Sequence, residues 1–122
     1  IPVKLMEENR RIINDYLQAS NRGKVSFTHI ISWAIVKAIQ DFPEINSSLE
    51  IIDKKPYIRI KHRVNLGIAV DHTRKDGTRT LIVPNIKNTD RLSFLDFSRG
   101  YDALLERTRK ASLCQQTFKT RL

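Results

Sequence analysis

With 122 residues, 40% of them hydrophobic and 29% charged, the chain suits one small domain with a modest core. Its single cysteine, Cys114, excludes an internal disulfide, so a reducing cytoplasm is expected. No apolar run reaches the ~20 residues of a membrane span, and no signal peptide is expected at the start of the chain. The formal charge of +9 admits a nucleic-acid surface, a membrane-surface patch or an anionic substrate. The bases are scattered, however, from Arg10-Arg11 through Arg59–Arg63 to Lys119–Arg121, which favours ordinary solvated faces.

Residues 3–20 read as a helix with Leu5, Met6, Ile12, Ile13, Tyr16 and Leu17 on one stripe. Pro2 suits its first turn, and Gly23 is the expected left-handed cap at its end. The strongest helix runs from Ser26, a good N-cap, to Phe42, where Pro43 ends it. Phe27, Ile30, Ile31, Ala34, Ile35, Ala38, Ile39 and Phe42 form its expected core face. Trp33 and Val36 fall off that stripe, and His29 lies on the remaining polar side as a hydrogen-bonded structural residue. So apolar a helix is expected to be covered on more than one side.

The string PEINSS, residues 43–48, is a turn. Leu49–Ile52 and Tyr57–Lys61 then read as a hairpin around Asp53-Lys54-Lys55-Pro56, with one wet face. Val64–Val70 and Thr80–Pro84 read as two buried strands joined by a charged turn, in which Asp76-Gly77 supplies the positive φ. Small alternates Gly67 and Ala69 point to close packing on the second face. Residues 86–91 form a connector. Ser93 and Asp96 make a capping box for a helix to about Lys110, whose stripe is Phe94, Phe97, Tyr101, Leu104, Leu105 and Thr108. Gly100 inside that helix marks either a close backbone approach or a tolerated position. Beyond Ala111 no period is visible.

The inventory of chemistry is thin. Three histidines and one cysteine do not make a metal site by position, and no glycine-rich phosphate loop or nucleophile elbow appears. Tyr57 alone on the hairpin is weak support for a nucleic-acid surface. Asp71, His72, Asp76 and Gly77 spell D-H-x-x-x-D-G, and His72 is assigned to an exposed loop rather than to catalysis.

The order of elements resembles the 2-oxoacid dehydrogenase acyltransferase family, from about Ile1 to Phe118. Its most specific pieces are 24–42 with Pro43–Ser48, the strand Leu66–Asp71, and Leu81–Leu95 with Phe97-Ser98. The opening Ile1–Arg10, the string KVSFTH and the enlarged turn DHTRKDGTR narrow the resemblance to the succinyltransferase domain of multifunctional 2-oxoglutarate dehydrogenase/decarboxylase. The resemblance implies an α/β fold, a two-layer sandwich like chloramphenicol acetyltransferase with a mixed sheet covered by helices. Residues 1–122 would be the N-terminal half of that catalytic domain. It implies coenzyme A and dihydrolipoamide as substrates, with thiamine diphosphate and Mg only in other domains of a multifunctional parent. The implied partners are further copies in a trimer, a lipoyl domain and other complex components, with no membrane or nucleic acid.

In the family a histidine base and an oxyanion-holding hydroxyl lie in the second half of the domain, so this chain is expected to hold no catalytic residue and no metal, and to be inactive alone. Thr73 stands where the family's catalytic string has an arginine, which sets His72 apart from it. Asp71 matches a family aspartate bordering the substrate channel. Asn46 and Ser47 match the family turn, and a turn role explains them equally well. A basic nucleic-acid- or partner-binding α/β module is the alternative reading.

Overall fold

The computed structural model describes residues 2–74 and 76–119, with side chains as far as residue 110. Helix α1 spans Val3–Ala19, α2 Phe27–Asp41 and α3 Phe94–Lys119. Six short strands lie between α2 and α3: β1 Ser47–Ile52, β2 Lys55–Ile60, β3 Leu66–Gly67, β4 Val70–Thr73, β5 Arg79–Ile82 and β6 Asn85–Ile86. They pair antiparallel as β1–β2, β3–β6 and β4–β5. The helix-and-sheet class agrees with expectation, but among the described residues the strands make three separate ladders and not one mixed sheet.

The helix ends have local causes. At the end of α1 the Arg22 N–H reaches the Leu17 carbonyl at 2.9 Å and the Asn21 N–H reaches Gln18 at 3.1 Å, a Schellman closure. Asn21 takes the left-handed position at φ 52°, so the cap is Asn21 and not Gly23. Ser26 caps α2 as expected: its Oγ accepts from the His29 N–H at 3.4 Å. At α3 the Ser93 Oγ accepts from the Asp96 N–H at 3.2 Å and donates to the Asp96 carboxylate at 2.6 Å. Gly100 has open space beside it, so its position in α3 is tolerated rather than required.

The hairpin closes in a two-residue turn, with Asp53 at φ 51° and Lys54 at φ 63°. Both central residues of a type I′ turn need positive φ, which fits the twist of the flanking strands. Lys55 and Pro56 therefore belong to β2 and not to the turn. Residues Val64–Val70 do not form one strand. The ladder is interrupted at 68–69, where the Ile68 N–H still reaches the Pro84 carbonyl at 2.9 Å, and β3–β6 and β4–β5 keep the same antiparallel register on either side of the gap. Burial along this stretch alternates, with Val64 buried, Leu66, Ile68, Val70 and His72 half-buried, and the intervening residues exposed. The two-sided burial expected of it is not observed. At Gly67, however, an added Cβ would lie 3.2 Å from Val83 Cγ1, a close approach.

The core sits where α3 crosses β6. Ile86, Phe97, Tyr101 and Leu104 are buried together, with Trp33, Leu66, Ile68, Leu92 and Leu105 packed against them. The expected stripe of α3 is thus the one that packs. Helix α2 behaves otherwise: His29 and Val36 are its buried residues, while Ile31, Ile35 and Phe42 are exposed. The face turned toward α3 is the one carrying Trp33, whose ring lies 5.3 Å from Phe97 and 5.9 Å from Phe94. No helix among the described residues is long and apolar enough to cross a membrane. The side chain of Cys114 and the KTRL ending from residue 120 onward lie outside the described part.

Candidate functional site

Three clusters hold the polar chemistry of the chain. The first is at the end of β4. Asp71 faces Leu81 across the ladder and pairs with the Arg79 guanidinium. The hydrogen bond from Arg79 is the main cause that holds the Asp71 carboxyl below the usual carboxylate range. The following turn is closed by the Arg74 N–H to the Thr78 carbonyl at 2.7 Å, and Gly77 supplies φ 82°. Asp76 caps this turn, accepting from the Thr78 N–H at 2.9 Å.

His72 is not an exposed loop residue. It lies in β4 opposite Thr80, half-buried, and its Nε2 is sealed from solvent without a hydrogen-bond partner. The strand extends three residues past the point where the charge pattern suggests a turn, because Thr73 still pairs with Arg79. Strand alternation then points His72 to the same side as Val70.

The second cluster is the turn after α2. The Asn46 side-chain amide donates to the carbonyls of Lys61 at 3.0 Å and Arg63 at 2.9 Å, while the Asn46 main-chain carbonyl accepts from the Lys61 N–H at 3.0 Å. Asn46 thereby fastens the start of β1 to the strand end that leaves the hairpin. Ser47 opens β1 opposite Ile60 and is exposed. Among the described residues no hydrogen bond or ion pair joins Asp71 to Asn46 or Ser47: Asp71 lies in the β4–β5 ladder, Ser47 in the β1–β2 ladder, and Asn46 in the turn before β1.

The third cluster joins residues far apart in the sequence. His29 is 4% exposed and joins α2 to α3. Its Nδ1 accepts from the Ser26 N–H at 3.1 Å and lies 2.6 Å from Ser26 Oγ, while Nε2 lies 3.0 Å from Asp102 Oδ1. With a backbone donor on Nδ1, the neutral tautomer carries its proton on Nε2 and donates it to Asp102. The order Ser26, His29, Asp102 is that of a nucleophile relay. The serine oxygen is nevertheless committed to the helix N-cap, so the array is structural. Tyr101 stacks on His29 at 4.3 Å between centroids, and burial is the first cause that raises its hydroxyl pKa. The signal for this link was the S-x-x-H spacing at the helix start, a capping box with histidine in its last position.

A further knot holds the site region together. Asp90 accepts from the Val64 N–H at 3.0 Å and pairs with Arg63 at 3.3 Å, and its carbonyl accepts from Gln40 at 2.9 Å. Beside it the fully buried Thr89 donates both N–H and Oγ–H to the Val64 carbonyl, each at 2.8 Å. The described residues contain no cluster of three or more potential metal ligands. On the hairpin, Tyr57 is the one aromatic residue and Arg59 is paired with Glu50 at 2.9 Å, an arrangement poor in stacking surface for nucleic acid.

The sequence profile of the 2-oxoacid dehydrogenases acyltransferase (catalytic domain) matches residues 1–121, and the chain belongs to that family. It is 41% identical over 119 residues to the 2-oxoglutarate dehydrogenase E1/E2 component of Corynebacterium glutamicum, a match covering 98% of this chain and 10% of that protein. It is 41% identical over 118 residues to the multifunctional 2-oxoglutarate metabolism enzyme of Mycobacterium sp. strain JLS, covering 97% of this chain and 9% of that one. Among solved structures, the truncated catalytic core of the 2-oxoacid dehydrogenase multienzyme complex from Thermoplasma acidophilum superposes with a TM-score of 0.59 at 29% identity. That match covers 81% of this chain and 42% of the other. The chain thus spans about a tenth of the curated relatives and less than half of the solved core.

Proposed function

We propose that the chain contributes to a coenzyme A-dependent acyltransferase that passes a succinyl group between dihydrolipoamide and coenzyme A, within an enzyme of the 2-oxoglutarate dehydrogenase type. The observation that carries the reading is the family match over residues 1–121, joined to 41% identity with a protein named as an E1/E2 component of that system. In this reaction one thiol gives its proton to a base and its sulfur attacks the thioester carbonyl. The tetrahedral intermediate then expels the other thiolate, which takes a proton. A base is required because a free thiol, with pKa near ~8.5, is mostly protonated at neutral pH.

In this reading the chain supplies the wall of the substrate channel: Asp71 at the strand end, with Asn46 and Ser47 at the turn. The chain alone does not turn over. His29 is committed to Ser26 and Asp102, and the Nε2 of His72 is sealed from solvent. Copies of the chain in a trimer, a lipoyl domain and other complex components are its partners, in the cytoplasm. Thiamine diphosphate and Mg belong to other domains of a multifunctional parent. The test is succinyl transfer from succinyl-CoA to dihydrolipoamide with the chain by itself. No turnover is expected; robust turnover that disappears in His72→Ala would overturn the assignment of His72 and the need for further residues.

A further inference from the structure

The turn between β4 and β5 holds a peptide bond with chemistry of its own. Asp76 and Gly77 are both exposed, and Gly77 stands at φ 82°. An aspartate before glycine is open to attack on its own carboxyl, because the next residue has no side chain to shield its amide nitrogen. In that attack the Gly77 nitrogen bonds to the Asp76 Cγ, and a carboxyl oxygen leaves as water with the amide proton. Water then adds at the Asp76 main-chain carbonyl carbon of the resulting succinimide, and the C–N bond there breaks. The main chain now runs through Cβ and Cγ of residue 76 and is one methylene longer, with the α-carboxyl freed. One water is lost and one regained, so composition is unchanged and no oxidant, reductant or cofactor takes part.

The folded turn opposes this reaction at both reacting groups. Asp76 Oδ1 accepts from the Thr78 N–H at 2.9 Å and from the Thr78 Oγ–H at 2.6 Å. The attacking group is committed too, since the Gly77 N–H donates to the Arg74 carbonyl at 3.0 Å. Ring closure needs the carboxyl carbon presented face-on to that nitrogen, and the carboxyl cannot turn while both Thr78 donors hold it. A carboxyl oxygen also leaves more readily when protonated. Thr78, by its hydroxyl first and its N–H second, holds the Asp76 carboxyl below the usual carboxylate range and so keeps it ionised. We propose that Asp76–Gly77 is a site of spontaneous main-chain isomerisation, and that the Thr78 hydroxyl guards it and sets its rate. The modification acts on the β4–β5 ladder. An extra methylene between Arg74 and Thr78 disturbs the 2.7 Å closure from the Arg74 N–H to the Thr78 carbonyl, beside the Thr73–Arg79 pair that ends the ladder. The inference is independent of acyl transfer and stands or falls without it.

The test ages the 122-residue chain at neutral pH, folded and in urea. An isoaspartate-specific carboxyl methyltransferase counts the product on the intact chain, and fragmentation of peptides spanning residues 71–82 places it. The parent should isomerise at Asp76 about ten-fold or more slowly when folded than in urea, because the hydrogen bonds to the carboxylate are then in place. Thr78→Val keeps the β-branched shape and the N–H but lacks the hydroxyl, and when folded it should react about five-fold or more faster than the parent. Thr78→Ser restores the hydroxyl and should stay within roughly two-fold of the parent, and in urea all three chains should share one rate. Far-ultraviolet dichroism checks that the variants are folded; if Thr78→Val is not, the parent compared between the two conditions still decides. Equal parent rates folded and in urea, a folded valine variant no faster than the serine one, or isoaspartate arising elsewhere in place of Asp76 would overturn the proposal. In the aged fraction the Arg74 amide should exchange faster, and unchanged exchange there would overturn the effect on the ladder.

Discussion

Asp90 and His29 do comparable work at opposite ends of the core, but water reaches their partners differently. The Val64 N–H chiefly, with the Asp90 N–H and the Arg63 guanidinium, holds the Asp90 carboxyl below the usual carboxylate range. A depressed folded-state pKa contributes stability above the unfolded value of about 3.9, and that contribution is lost as pH falls through the folded value. Asp90→Asn should therefore lower stability at neutral pH by about 1–2 kcal/mol and flatten the acid limb below about pH 4. Urea titrations between acidic and neutral pH would read both effects. For His29, replacement by alanine removes the ring from under Tyr101 and both bonds at Nδ1, at an expected cost of about 2–3 kcal/mol. Asp102 is more than half exposed, so Asp102→Asn should cost less than about 1 kcal/mol. Equal losses in thermal denaturation of the two variants would contradict the view that the cap, and not the ion pair, is the stronger half of this link.

At the scale of elements, local chemistry was readable and the choice of partners was not. Ser26, Pro43 and Ser93 each end or start an element where expected, and Gly77 supplies the positive φ of the turn expected around it. The failure on α2 is of another kind. The helix is apolar around much of its circumference, so periodicity alone cannot tell which face meets α3. The aromatic residues Phe94, Phe97 and Tyr101 select Trp33 and His29, leaving Ile31, Ile35 and Phe42 outside. The candidate site was legible in the same uneven way. Asp71 could be named from its place at a strand end, but its tie to Arg79 and the burial of His72 depend on a strand three residues longer than turn composition suggests. The hairpin turn offers a test at this scale. Asp53 and Lys54 both hold positive φ, so the pair Asp53→Asn/Lys54→Gly should stabilise the chain by up to about 1 kcal/mol. Thermal midpoints of the two chains would check the sign.

Across the whole molecule, the fully or nearly buried apolar set is short for a chain of this length, and it centres on Phe97. Large-to-small changes at such a position cost about 3–5 kcal/mol, comparable to the total stability of a small domain. Phe97→Ala is therefore expected to unfold the isolated chain at room temperature. The fluorescence of Trp33, which packs on Phe97, would report it as a red shift, and an unchanged spectrum with a cooperative melt would show that the core lies elsewhere.

The separate ladders have a consequence for growth of the structure. Among the described residues, each pair of strands keeps two flanks along which no further ladder is formed. New strands can be annexed along those flanks without breaking a bond already made. The chain is in that sense a set of seeds: a larger sheet can be laid down around it one strand at a time, with the helices already fixed in place as its backing.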